Sequence, residues 1–286
     1  MVTDPADGAE DALGRFILEA WPSLRTLNPA APEQPPFDRL RFTGSLEEAV
    51  ASADLVQENG PERLDFKIAL YERLDAAAQP HTILTSSSSE LRMGDLQQGC
   101  RLHPERSIIA HPFNPPHLVP LVELVGGPLT SGDTVARAFA FYEGVGKKPI
   151  VVKKPIVVKK EVIGHVANRL QAVLFREVTH LVKEGVVSVA DADAAVRYGP
   201  GLRWSIMGQC MLFHLGAGDA GVGAFLEKFG PSLEAWWKDL GQPVLDDETR
   251  GVLVDGVMEE ARGRSLDEWS RRRDRLLVEH LLDEEG

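Results

Sequence analysis

Over the first 160 residues, short apolar runs rich in β-branched residues alternate with helical patterns, and after Gly164 the runs stop. No other feature of the chain limits its fold so strongly. The strand-like runs fall at 40–42, 54–57, 82–85, 107–110, 119–125 and around 150–158, with helical patterns at 9–21, 45–52, 61–78 and 132–145 between several of them. Ser45 and Glu48 fit a capping box, in which each side chain satisfies an orphan donor of the first turn. Parallel strands need long crossovers, so this alternation predicts an α/β sheet with helices against it. Val2-Thr3-Asp4-Pro5 reads like the end of one more buried strand, with nothing before it.

From Gly164 onward the pattern is helical. Val166, Leu170, Val173, Leu174, Val178, Leu181 and Val182 recur at three and four residues, and further helices are expected at 189–197, 203–215, 222–229, 249–262 and 266–282. The chain is therefore expected to divide into an α/β domain at 1–160 and an all-α domain at 161–286. The hexapeptide PIVVKK occurs twice in a row, at 149–154 and 155–160. Six is an even number, so either copy would present the same faces in one strand position, and the spare copy is expected to loop out.

Charge limits the partners. Forty-three acidic residues against 31 basic ones give a net charge of −12, which disfavours a nucleic-acid or anionic-membrane binder. Cys100 and Cys210 lie far apart with no metal or redox spacing, no apolar run approaches the length of a bilayer span, and the N-terminus lacks a secretory pattern. A cytoplasmic location is the expectation.

Two polar segments follow apolar strands, where open α/β sheets bind their ligands. One is Thr85-Ser86-Ser87-Ser88-Ser89-Glu90. The other is His111-Pro112-Phe113-Asn114-Pro115-Pro116-His117, followed by Leu121-Val122-Glu123-Leu124-Val125. Glu123 ends a segment that could fold back beside His111, and a carboxylate on one imidazole nitrogen leaves the other as a base. Taken singly, a serine run is usually an N-cap and turn, and a histidine before proline is usually structural. His111 and His117 lack the further ligands a metal would need.

Taken together, the serine-rich turn, HPFNPPHLVPLVELVGG and GHVANRL closely resemble the NAD-dependent 3-hydroxyacyl-CoA dehydrogenase family. DPADGAEDAL, ADLVQENGPERLDFK, HPERSIIAHPFNP, YGPGLRWSIMG and GAGDAGVGAFLEKFGPSL carry a closer resemblance to one branch of it, and the likeness covers almost the whole chain, from Asp4 to about Leu282. It implies a Rossmann-like doubly wound parallel sheet followed by an all-α C-terminal domain that binds substrate and forms a homodimer. It also implies NAD as cofactor, His111 as general base, Glu123 as its partner, Asn168 as the substrate-orienting residue and a serine on the reacting oxygen. That serine falls on Ser89 when the family's Ser-Ser-Thr-Ser is laid on residues 86–89, a register that four serines in a row leave open. The family's hinge Glu-Val-Pro-Gly is here Glu161-Val162-Ile163-Gly164, which loosens the approach to the next helix.

The cofactor segment departs from the family. Asp4 matches the acidic residue that holds the ribose hydroxyls, but the Gly-x-Gly-x-x-Gly turn expected before it is missing. A chain that starts at the second strand would lack the first strand and its phosphate loop, about one βα unit of a full βαβ of roughly 30 residues or more. Gly216, Gly218 and Gly221 have the spacing but stand in the helical half, where they are expected to serve helix-connecting turns.

For the substrate, the chain looks most like the branch of the family that oxidises L-carnitine to 3-dehydrocarnitine. Quaternary ammonium groups sit over aromatic faces, and Tyr198, Trp204, Phe213, Trp236 and Trp237 are the candidates, although aromatic residues at helical spacing usually pack in a core. An acyl-CoA enzyme calls for basic residues near 23–36, where only Arg25 stands, beside Glu33. A 3-hydroxyacyl-CoA is the second expectation. A non-catalytic relative of the lambda-crystallin type, which shares the same plan, is the third.

Overall fold

In the computed structural model, residues 1–151 and 161–284 are described. The first helix, α1 (Ala9–Leu27), continues through Pro22 to run past its expected end. The second, α2 (Leu46–Val50), begins at Ser45, whose hydroxyl accepts the Glu48 N–H at 3.2 Å. Only half of the capping box forms. The Glu48 carboxylate takes the Thr43 hydroxyl at 2.5 Å, and the Ser45 N–H turns to Thr43 Oγ1. Then follow β1 (Leu55–Glu58), α3 (Leu64–Ala77), β2 (Ile83–Ser86), α4 (Met93–Leu96), β3 (Ser107–Pro112), β4 (Leu121–Gly126), α5 (Gly132–Gly144) and β5 (Lys148–Val151).

These strands make one five-stranded sheet in the order β1-β2-β3-β4-β5. β1, β2 and β3 are parallel, β4 runs antiparallel to β3, and β5 is parallel to β4. The expected parallel order holds for β1–β3 and β4–β5, and the segment expected to fold back beside His111 makes β4 antiparallel to β3. Residues 113–120 are too few for a crossover helix, and a short connection can only fold the chain back. Side chains one residue apart in a strand point to opposite faces, so the sheet feeds two cores. Leu84 and Ile109 pack with Tyr71 and Leu74 of α3, whereas Ile83, Ile108 and Ala110 pack with Ala138 and Tyr142 of α5. Helices cover both faces, as the doubly wound expectation requires.

The strand expected at 40–42 is reduced to one parallel bridge, Val2 to Phe42, outside the five-stranded sheet. The Val2 N–H donates to Arg41 O at 2.8 Å, and the Thr43 N–H donates to Val2 O at 3.0 Å. A 3-10 turn at Phe37–Arg39 on one side and the Thr43–Ser45 turn on the other leave no room for a longer strand. The PIVVKK duplication begins in β5, and the rest of it lies outside the described residues.

The remaining helices are α6 (Ala167–Lys183), α7 (Val189–Tyr198), α8 (Pro200–Trp204), α9 (Gln209–Gly216), α10 (Gly221–Asp239), α11 (Asp247–Ala261) and α12 (Leu266–Glu284). The single helix expected at 203–215 is broken between α8 and α9, because Gly208 adopts extended backbone (φ −67°, ψ 157°) and starts α9 afresh. By contacts the chain forms two units, Met1–Arg169 with Ser270–Gly286, and Leu170–Trp269. This division follows the packing and differs from a cut at residue 160. In the second unit Val182, Val189 and Ala192 form a small core, against which Val178, Val187 and Leu253 pack. Among the described residues no helix is long and apolar enough to cross a membrane.

Candidate active site

His111 lies near the end of β3, and the fold-back of β4 sets Glu123 directly opposite it as a cross-strand pair. Both side chains are buried, Glu123 completely. His111 Nδ1 is 3.2 Å from Glu123 Oε2. The other carboxylate oxygen, Oε1, accepts the N–H groups of Val166 and Ala167 at 2.9 Å each, where the chain enters α6. Burial pushes the Glu123 carboxyl up, but the hydrogen bonds from His111, Ala167 and Val166 and the nearby His165 outweigh it. The group is held below its ordinary value and is a carboxylate at neutral pH. A carboxylate can only accept, so Nδ1 carries a hydrogen and Nε2 is the nitrogen left to exchange a proton with substrate. Nε2 has no hydrogen-bond partner among the described residues.

The serine loop follows β2. Ser86 Oγ donates to Glu58 Oε2 at 2.6 Å, and Ser88 Oγ donates to Glu62. Glu58 is itself paired with Lys67, whose Nζ donates to Oε1 and Oε2 at 2.8 and 2.9 Å, with both side chains almost fully buried. Two of the four hydroxyls are thus committed to a buried ionic frame. Ser89 is half-buried, its hydroxyl has no such partner, and its carbonyl accepts the Asn168 side-chain amide at 3.4 Å. The structure brings His111, Glu123, Asn168 and the serine loop into one hydrogen-bonded neighbourhood.

His165, which was not singled out from the sequence, belongs to the same neighbourhood. It is 1% exposed, its Nε2 lies 3.0 Å from Ser88 O, and its ring centroid is 5.6 Å from that of His111. His117 is elsewhere engaged, its ring edge-on to Phe16. Among the described residues no three metal-ligating side chains gather.

Asp4 is exposed, two residues past the Val2 bridge, and its carboxylate accepts the Ala6 N–H at 2.8 Å. Among the described residues no strand leads into Gly-x-Gly-x-x-Gly. The first turn of α1 carries Glu10 and Asp11, the wrong charge for a pyrophosphate. Gly216 ends α9, and Gly221 opens α10 with φ +66°; a Cβ there would meet the His214 ring at 2.8 Å. Those glycines connect helices. Among the described residues the groups gathered round His111 suit the nicotinamide end of an NAD site, and none forms a cradle for the cofactor's phosphates.

The five aromatic candidates stand in the second unit. Tyr198 lines a cleft of about 730 Å³ with Trp269, Asp193 and Glu260, and the Arg197 guanidinium lies over its ring at 5.0 Å. Phe213 stacks on Phe225 at 4.2 Å, and the Trp204 indole N–H donates to Gln209. Trp236 and Trp237 are exposed on α10. No ring contact joins any two of the five among the described residues.

An imidazole backed by a buried carboxylate, in one hydrogen-bonded neighbourhood with the serine loop at the carboxyl rim of a doubly wound sheet, is suited to removing a proton from an alcohol. Residues 17–155 match the 3-hydroxyacyl-CoA dehydrogenase NAD binding domain, and residues 164–244 match the C-terminal domain of that family. Fold and site define an NAD-dependent dehydrogenase of 3-hydroxy compounds. The chain belongs to the 3-hydroxyacyl-CoA dehydrogenase family. It is 45% identical over 278 residues to an L-carnitine dehydrogenase of Streptomyces coelicolor, covering 97% of this chain and 85% of the relative. With an L-carnitine dehydrogenase of Pseudomonas aeruginosa it shares 43% over 277 residues, or 96% and 83% of the two chains. Among solved structures, 5-formyl-3-hydroxy-2-methylpyridine 4-carboxylic acid 5-dehydrogenase, an NAD+-dependent dismutase, superposes with a TM-score of 0.81 at 28% identity, over 99% of this chain and 90% of that one. The 3-hydroxybutyryl-CoA dehydrogenase of Escherichia coli superposes with a TM-score of 0.60 at 26% identity, over 89% and 51%.

Proposed function

We propose that the protein oxidises the 3-hydroxyl of L-carnitine to a ketone, giving 3-dehydrocarnitine, with His111 as the general base. The observation that carries the base assignment is the His111–Glu123 pair, with Nδ1 tied to a carboxylate and Nε2 free. The carnitine assignment is supported by relatives of that name at 41–45% identity along nearly the whole chain.

His111 Nε2 takes the hydroxyl proton of the substrate, and Glu123 stabilises the imidazolium so formed. Base catalysis of this kind contributes about 10²- to 10⁴-fold. The Ser89 hydroxyl holds the reacting oxygen, and Asn168 fixes the segment that carries Ser89. NAD, when bound, supplies the acceptor for the hydride that leaves the same carbon, and Asp4 is the residue assigned to its ribose. Tyr198, Trp204, Phe213, Trp236 and Trp237 are the candidates for receiving the trimethylammonium group.

Residues 1–160 are assigned to the cofactor and residues 161–286 to substrate binding and dimerisation. The second unit exposes Leu170, Ile206, Leu226, Trp236, Trp237 and Met258 by 53–72% each. Large apolar side chains left exposed in this number support self-association as a homodimer through the helical part.

The test compares NAD reduction with L-carnitine and with 3-hydroxybutyryl-CoA. Faster turnover of L-carnitine is the expected result. Faster turnover of the CoA ester would transfer the assignment to acyl-CoA substrates, and turnover of neither would point to a non-catalytic relative.

A further inference from the structure

The turn that leads into α6 makes four contacts with the site in four consecutive residues. His165 Nε2 lies 3.0 Å from Ser88 O, the Val166 and Ala167 N–H groups hold Glu123 Oε1 at 2.9 Å each, and Asn168 Nδ2 lies 3.4 Å from Ser89 O. The carbonyls of Ser88 and Ser89 belong to the two peptide planes that flank the Ser89 Cα. His165 fixes one plane and Asn168 the other, so together they set the backbone torsions of Ser89 and the direction of its side chain.

His165 reaches this position at a conformational cost. Its φ is +50°, in the left-handed region that residues with a Cβ rarely adopt. A residue held there inside a buried site is one whose surroundings over-determine it. A carbonyl only accepts, so Nε2 carries the hydrogen. Nδ1 is buried and has no hydrogen-bond partner among the described residues. The loop does not need His165 merely to stay in place, because Ser86 and Ser88 already anchor it to Glu58 and Glu62. The further bond falls on the one peptide that precedes the unused hydroxyl.

We propose that His165 is a positioning residue for alcohol oxidation, its Nε2–H fixing the Ser88 carbonyl and through it the aim of the Ser89 hydroxyl. This rests on the reading of His111 as base and Ser89 as the hydroxyl that holds substrate.

The test is a double-substitution cycle with L-carnitine and 3-hydroxybutyryl-CoA as probes. H165F keeps a ring but loses the donor, whereas H165Q keeps a donor. H165F is expected to lower kcat by about tenfold or more, since small misplacements near the chemistry are costly. H165Q is expected to recover most of that loss. On an S89A background, H165F should cost little more, because the two act through one group. Wild-type kcat in H165F, or losses that multiply fully with S89A, would overturn the proposal. Should H165F fail to fold, the ¹⁵N imidazole spectrum of the unsubstituted protein decides. Hydrogen on His165 Nε2 supports the assignment, and hydrogen on Nδ1 alone overturns it. H111A measured in parallel separates the two readings. If H111A is inactive while H165F is unaffected, only the positioning role fails; an active H111A removes the underlying reading.

Discussion

Asn168, in the first turn of α6, donates its side-chain amide to the Ser89 carbonyl at 3.4 Å, and the Ser89 hydroxyl has no hydrogen-bond partner among the described residues. The serines of one short loop therefore divide by role. Ser86 and Ser88 donate to buried or half-buried carboxylates, and Ser89 does not. S89A should lower kcat by about 10- to 100-fold with an unchanged melting temperature, a loss of the size given by one misplaced or missing oriented group. S86A should instead act on stability, costing about 1–3 kcal/mol because it leaves Glu58 short of a buried donor. Steady-state kinetics and urea denaturation of the two variants check the division, and the reverse pattern would shift the catalytic register along the loop.

The second prediction concerns acid. The Glu123 carboxyl is held below its ordinary value of 4.5 because the donors from His111, Ala167 and Val166 outweigh its burial. A carboxyl whose pKa is lower folded than unfolded contributes stability that is complete above about pH 5 and is lost as pH falls through the folded value. E123Q removes that contribution. The difference in melting temperature between wild type and E123Q should be largest near neutrality and close below pH 4.5. A gap that stays constant across pH 3–7 would contradict the assignment. Part of the effect is the cap on α6, worth about 1 kcal/mol.

A third prediction concerns the frame beneath the serine loop. Lys67 is fully buried and contacts both oxygens of Glu58. K67M leaves a buried carboxylate unpaired and should cost about 3–5 kcal/mol, whereas E58Q/K67M should recover a good part of it. Urea titrations measure both.

The helical glycines provide a fourth. A Cβ on Gly216 would meet nothing within 4 Å, and the residue ends a helix. G216A should leave both stability and NAD affinity unchanged within error. A collapse of NAD affinity would make 216–221 a phosphate loop after all.

Much of this site could be read from the residue order, and the parts that could not have definite causes. The His111–Glu123 pair was visible because both ends of a short fold-back carry recognisable residues and a two-residue period fixes their faces. The antiparallel turn of β4 was implied by the same eight-residue connection, but alternation alone suggests parallel strands. The serine register was hidden because a hydroxyl's role depends on which carboxylates reach it, and Glu58 and Glu62 come from another segment. His165 was hidden for a different reason. A left-handed backbone at a histidine leaves no trace in composition or periodicity, and its partner, Ser88, is 77 residues away in sequence. The break at Gly208 shows the limit of periodicity, which ran smoothly through a residue whose backbone is extended.

The most direct test of the central claim is kcat for L-carnitine oxidation by H111A, followed as NAD reduction beside wild type. The account predicts a loss of about 10²-fold or more, the contribution of a positioned base, with the fold intact by circular dichroism. A folded H111A variant that turns over within a few-fold of wild type would contradict it.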